Sequence, residues 1–126
     1  MCIPCFQGMS RERRVPLKKP GEKVRGSSSG RPVMVLFDVL GQRWTMRILW
    51  ELRNEELSFR KLRERCDNIS PSILNGRLTG LKALQFVERG QSGYRLTDVG
   101  KELAQQLISL CEWADRWGQS FQFKER

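Results

Sequence analysis

The stretch NISPSILNGRLTGLKAL, residues 68–84, holds the side chains whose types and spacing carry the most specific chemistry. Ile73, Leu74, Leu78 and Leu81 recur at helical spacing and would face a core, leaving Ser72, Asn75, Gly76 and Thr79 on the other side. An asparagine so placed can bond bidentately to an adenine edge, and Ser70 or Ser72 can donate to a phosphate or a base edge. Ser70 followed by Pro71 is a helix-start signal, and the backbone N–H groups bared there suit a phosphate oxygen. Gly76 and Gly80 sit inside this helix although each costs about 1 kcal/mol relative to alanine. Gly76 has three readings: room for close approach of a duplex, close packing on another segment, or decay of a reading surface. Gly80 fits packing better. Arg77 reads either as a phosphate contact or as a partner for an acid near the core.

Other chemistries find little support. The chain contains no histidine, which removes the usual neutral-pH general base and the commonest metal ligand. No glycine-rich phosphate cradle follows a strand, and no acid pair suits a cleft, so an enzyme is not expected. Asp38 and Glu51 belong on helix surfaces or in local salt links. Cys2 and Cys5, in CIPC, make half a zinc site at best, and two tail cysteines without a role is the simpler reading. Cys66 and Cys111 fall in helical contexts and read as core. No metal and no cofactor are expected.

Lys and Arg total 23 against 14 acids, a formal net charge of +9. Such an excess favours a polyanion or an acidic membrane surface as partner but says nothing of fold. Residues 1–31 hold +6 of it and residues 32–126 only +3. Residues 7–31, with three basic clusters, prolines and a Ser/Gly run, show no apolar periodicity. We therefore divide the chain into a flexible basic N-terminal arm, 1–31, and a folded domain, 32–126. The arm is either a solubilising leader or a source of non-specific, salt-dependent contacts with nucleic acid. No apolar run reaches the 18 residues of a membrane span, and the leader lacks the apolar centre of a signal peptide, so no membrane partner and a cytoplasmic address are expected.

The elements that must position these side chains follow from periodicity. PVMVLFDVLG suits a short helix closed by Gly41. QRWTMRILWELRN follows, with Trp44, Ile48, Leu49 and Leu52 in one stripe and Arg43, Arg47 and Arg53 facing outward. After a turn at 54–57, Ser58 caps FRKLRERC, and DNIS leads into the glycine-containing helix, which runs to about Leu84. Phe86–Arg89 and Tyr94–Thr97 alternate as strands around GQSG. Thr97 then caps a long helix lined by Leu103, Leu107, Leu110, Ala114 and Trp117, which Ile108 and Cys111 broaden. Two short helices across a tight turn, followed by a small hairpin, predict a mainly α fold of the winged helix-turn-helix kind. Arg43, Arg60 and Lys61 at helix starts, with Arg89 and Arg95 beside the hairpin turn, form a basic rim, though each could equally be ordinary surface. The aromatic residues read as core or interface, and nothing lays them out as a platform for single-stranded nucleic acid.

VLFDVLGQRWTMRILWEL, SFRKLRE, ISPSILNGRLTGL, FVERG, YRLTDVG and WADRW occur in one order at compatible spacings. Together they resemble the HxlR-type transcription regulators, relatives of the MarR group, over residues 33 to about 117. The resemblance implies a winged-helix homodimer that binds pseudo-palindromic operator DNA. It places the dimer contacts on the first and last helices, residues 33–40 and 98–117, and so on Val33, Leu36, Phe37, Leu103, Leu107, Leu110, Ala114 and Trp117. The reading helix is Ser70 to Leu84 and the wing Arg89 to Arg95. The chain departs from the pattern in several places. Arg31 stands where many members carry a sensing cysteine, and longer polar side chains usually fill the places of Ser72, Gly76 and Gly80. GQSG replaces a longer wing loop, and LQF replaces xGL after the reading helix.

The expected function is sequence-specific binding of double-stranded DNA by a homodimeric transcription regulator. The expected DNA contacts are Arg43, Ser58, Arg60, Lys61, Ser70, Ser72, Asn75, Gly76, Arg77, Thr79, Arg89 and Arg95. A small effector between the DNA-binding lobe and the dimer seam stays possible, its identity unknown. The alternative is a degenerate winged-helix protein that acts through protein–protein interaction, without operator recognition.

Overall fold

A computed structural model describes residues 20–22 and 31–122. The expected N-terminal arm, with Cys2 and Cys5, lies outside the described residues except at Pro20–Glu22, which form a turn and bend, and at Arg31, which directly precedes α1. Five helices and one hairpin follow in the order α1 (Pro32–Gly41), α2 (Thr45–Glu51), α3 (Phe59–Arg65), α4 (Pro71–Ala83), β1 (Val87–Arg89), β2 (Tyr94–Leu96) and α5 (Asp98–Gln122). This is the mainly helical fold with a two-stranded antiparallel wing that the periodicity predicts.

Each helix start has a local cause. Pro32 and Pro71 stand in the first turns of α1 and α4, where a missing N–H costs nothing. Ser58 Oγ accepts from Lys61 N at 3.1 Å and Ser70 Oγ from Ile73 N at 3.3 Å, each satisfying an orphan donor. Thr97 Oγ1 does the same for Gly100 N at 3.0 Å and donates to the Gln85 carbonyl at 2.5 Å, tying α5 to the end of α4. The α3–α4 turn is made by Asp67 and Asn68 in the left-handed region, φ 59° and 58°, where short polar side chains are tolerated. α2 begins later than its periodicity suggests. Trp44 adopts φ 78° and Thr45 N–H donates to the Gln42 carbonyl, so residues 42–44 are a turn.

The main core gathers Ile48, Leu49 and Leu52 after and within α2, Leu62 and Cys66 from α3, and Leu74, Leu78 and Leu81 from α4, closed by the wing and α5. Val35 and Val39, one turn apart on α1, pack with Met34 and Leu84 and so set α1 against the end of α4. At that same end of α4, Gln85 takes φ 69°, and the N–H groups of Gln85 and Phe86 close on the carbonyls of Lys82 and Leu81. That is the left-handed helix stop usually given to glycine, here met by a glutamine.

Arg47 corrects the outward reading of α2. It is only 7% exposed: Nε reaches Glu51 at 2.9 Å and NH2 donates to the Arg65 carbonyl at 2.6 Å. Arg65 in turn pairs with Glu51 and Glu55, at 3.5 and 3.1 Å. Glu51 is thus the centre of a link between α2 and α3. Nε and NH2 of this buried guanidinium are hydrogen-bonded, while NH1 makes no hydrogen bond and lies 3.6 Å from the Asp67 carboxylate. Arg53 also turns back, its guanidinium lying 3.8 Å over the Trp50 ring.

Candidate nucleic-acid interface

The outward face of α4 is the predicted one. Ser72, Asn75, Gly76 and Thr79 are all exposed, while Leu74, Leu78 and Leu81 are buried and Ile73 packs partly against the core. A Cβ built at Gly76 meets nothing within 4 Å. Close packing within the domain therefore does not explain this glycine, and the space it leaves opens to the outside. The exposed start of the same helix adds Ser70, its hydroxyl already turned to the Ile73 N–H.

Arg77, read as a phosphate contact or as a partner for an acid near the core, lies on the inner side of α4. It is 5% exposed, and Nε donates to the Arg43 carbonyl at 2.9 Å across 34 residues of chain. This side chain ties α4 to the turn before α2; its position is not one that meets a phosphate. Arg43 keeps a half-buried side chain, its guanidinium 5.3 Å from the Trp44 ring centre.

The rim residues separate by what holds them. Arg60 and Lys61 are exposed at the start of α3 beside Ser58, with Arg60 weakly paired to Glu64 at 3.6 Å. The wing arginines are engaged within the wing. Arg95 Nε lies 2.8 Å from Glu88 Oε2, and Arg89 rests over the Tyr94 ring with NH1 3.2 Å from the Tyr94 hydroxyl.

The wing also has an anchor with no signal in the sequence. Leu57, expected as turn, exchanges both backbone hydrogen bonds with Tyr94, at 3.0 and 2.8 Å, and so adds a third short edge to the hairpin. The neighbouring Glu56 lays its carboxylate into the GQSG loop. It accepts from the backbone N–H of Ser92 by a very short contact and from Ser92 Oγ at 3.0 Å. The Ser92 backbone donor, with its hydroxyl, the Gly93 N–H and the charge of Arg95, outweighs desolvation and holds the Glu56 carboxyl below its ordinary range. Gly90 and Gly93 make this possible. A Cβ at Gly93 would overlap the Leu57 carbonyl, and one at Gly90 would overlap the Glu56 carboxylate.

The expected dimer residues are divided by the structure. Leu107 is 7% exposed and belongs to the domain's own core, and Leu103 packs partly against it. Leu36 and Ala114 are half-buried. Val33 and Phe37 on α1, and Leu110 and Trp117 on α5, stand half or more exposed. Trp113 and Phe121 join the α5 set, and the Trp113 and Trp117 rings stack at 5.9 Å with 9° between planes. α5 continues past the expected residue 117 and so carries Phe121 edge-on against Trp117.

A groove of about 300 Å³ runs between α5 and the segment that follows α2, lined by Arg53, Asn54, Asp98, Lys101 and Ile108 among others. Cys66 and Cys111 are buried, as their contexts suggested. Burial pushes the Cys66 thiol up to about 12, so it stays protonated at neutral pH and is a poor nucleophile. Among the described residues no group of His, Cys, Asp or Glu is arranged to hold a metal, and no helix is long and apolar enough to cross a membrane.

The family described as HxlR-like helix-turn-helix matches residues 39–122. YvaP, an uncharacterized HTH-type transcriptional regulator of Bacillus subtilis, is 32% identical over 87 residues, spanning 64% of this chain and 81% of that protein. MJ0925 of Methanocaldococcus jannaschii, described in the same terms, is 27% identical over 88 residues, spanning 67% and 83%. Two solved structures of YodB from B. subtilis have a similar fold. The quinone-bound form has a TM-score of 0.63 at 31% identity, covering 67% of this chain and 96% of that one. The reduced form of that transcriptional regulator gives 0.60 at 29%, covering 66% and 88%.

Proposed function

The chain belongs to the HxlR-like helix-turn-helix family, and from that premise we propose that it acts as a homodimer reading a pseudo-palindromic operator with two copies of α4. DNA-binding transcription regulation comes with the family. Homodimerisation and operator choice are our reading. The observation that carries it is the α4 face of Ser72, Asn75, Gly76 and Thr79, small, polar and open to the outside. Small side chains let the helix sit deep in a major groove, where Asn75 reaches a base edge.

Dimerisation is supported by the exposed apolar side chains of α1 and α5. Val33, Phe37, Leu110, Trp113, Trp117 and Phe121 are each about half exposed or more, a cost in water that a second protomer removes. Two α4 helices related by the dimer axis would enter successive major grooves about 34 Å apart. Phosphate contacts from Ser70, Arg60, Lys61 and the start of α4 would supply affinity, and Ser72 and Asn75 discrimination. The groove between Arg53–Asn54 and α5 is the place for a small effector.

Selection of bound duplexes from a random library, followed by footprinting, tests the proposal. The expected result is a two-fold symmetric site with protected half-sites one helical turn apart. Salt-dependent binding with no preferred sequence would defeat operator recognition. One observation favours the alternative, an interaction protein: Arg89 and Arg95 are already engaged inside the wing. The Ser72→Ala, Asn75→Ala double variant separates the two, since it abolishes operator binding under the first reading and leaves partner capture intact under the second.

A further inference from the structure

We propose that the GQSG loop of the wing is a phosphate-binding cradle that the chain keeps filled with its own Glu56 carboxylate, which a DNA phosphodiester displaces. The inference deepens the DNA-binding reading and rests on it for its natural ligand.

The donors converge as an oxyanion requires. The Ser92 N–H and hydroxyl both meet one carboxylate oxygen of Glu56. Successive backbone N–H groups in a tight loop make a concavity for anions, and its usual occupants are phosphate and carboxylate oxygens. The loop is shaped around this occupant, since a side chain at Gly90 would stand where the Glu56 carboxylate lies. The Gly90 N–H is turned instead to the Gly93 carbonyl at 2.7 Å, which closes the loop and leaves the other donors pointing at Glu56.

The occupant is poorly suited to permanence. Glu56 comes from the segment before α3, 36 residues from Ser92 in sequence, and its side chain is only partly buried. A flexible, half-exposed glutamate gives up several rotamers to hold this pose. A duplex phosphate brings the same oxygen geometry, and it arrives beside Arg95 and Arg89. With Glu56 in the cradle the wing tip presents a carboxylate to DNA; with Glu56 swung out it presents the Ser92 N–H and hydroxyl. The family-level reading of the wing as a basic rim misses this exchange, because the acid that controls it lies outside the wing.

The test uses the full chain and two anions. Inorganic phosphate is titrated into wild type, Glu56→Ala and Glu56→Gln while backbone amide resonances are followed. The expected result is saturable shifts of Ser92 and Gly93 in both variants, at millimolar phosphate, with at least a tenfold weaker response in wild type. Gly90→Ala added to Glu56→Ala keeps the charge of the single variant but fills the cradle with a methyl, and the shifts should vanish. Equal responses in wild type and variants would overturn the proposal, as would no response in Glu56→Gln with its strand resonances intact. The second arm measures duplex binding by wild type, Glu56→Ala and Glu56→Ala with Gly90→Ala. The single variant should bind more tightly than wild type, because no carboxylate has to be displaced, and the added methyl should cancel that gain. Equal gains in the single and double variants would mean simple loss of a negative charge and would sink the exchange. Wild type that binds no duplex, with the phosphate arm positive, would overturn the DNA reading and leave the cradle standing as a site for another phosphate.

Discussion

The single chain leaves two helix faces uncovered, and they could hardly differ more. On α4 the open side is Ser72, Asn75, Gly76 and Thr79, small and polar; on α5 it is Leu110, Trp113, Trp117 and Phe121, large and apolar. Both helices also bury an apolar stripe, Leu74, Leu78 and Leu81 on α4 and Ala104, Leu107 and Cys111 on α5, so burial of one face does not distinguish them. What distinguishes them is the cost of staying in water. A serine–asparagine face is at home there, whereas fully burying an aromatic or leucine side chain gains about 1.5–3 kcal/mol. The α5 face therefore calls for a permanent cover and the α4 face tolerates a partner that comes and goes.

The comparison breaks most readily at α5. Trp113→Ser with Trp117→Ser should turn a dimer into a monomer of unchanged helicity, because both rings are exposed and contribute little to the domain's own core. Loss of central aromatics commonly costs about 2 kcal/mol or more each, so the dimer dissociation constant should rise at least several hundredfold, read by light scattering and sedimentation. A dimer that survives would mean that the α5 face is not the seam. At α4 the effect is smaller and of another kind. Asn75→Ala should leave folding and mass unchanged while discrimination at one base pair of each half-site falls by about 1–3 kcal/mol, measured with a panel of single-substituted duplexes. Uniform weakening across the panel would assign Asn75 to backbone contact.

Gly76 sharpens the contrast further. Since a Cβ there meets nothing within 4 Å, Gly76→Ala should raise thermal stability by about 1 kcal/mol through helix propensity alone. The same methyl should weaken operator binding if the space serves a duplex. Stability gained without affinity lost would show that the space is unused. The mildest effect belongs to pH. The Glu56 carboxyl is held below its ordinary value of 4.5, so its hold on the wing is full at neutral pH and is lost as pH falls through its lowered value. Amide exchange at Ser92 and Gly93 should therefore quicken on acidification below 4.5, beyond the change seen in Glu56→Gln.

Much of this was readable from residue type and spacing. Ser58, Ser70 and Thr97 announce three helix starts because a hydroxyl just ahead of an apolar repeat has one obvious use. The GQSG hairpin and the outward set of α4 followed from the same local rules. Charged residues were the failures. Arg47 lies at a position that a charge makes look exposed, yet it is buried against the distant Arg65 carbonyl; Arg77, open between a phosphate and a partner near the core, reaches the Arg43 carbonyl. Glu56 and Leu57 read as turn, because their partners Ser92 and Tyr94 come more than thirty residues later. Periodicity reports which side of an element faces water; it is silent on a polar side chain that spans two elements.

One such span has a mechanical consequence. Arg77 fastens the middle of α4 to the turn ahead of α2, while Leu84 at its far end sits under Val35 and Val39 of α1. α4 is thus pinned at two points to the N-terminal half of the fold. In the proposed homodimer, a shift of α1 is therefore expected to change the distance between the two α4 helices.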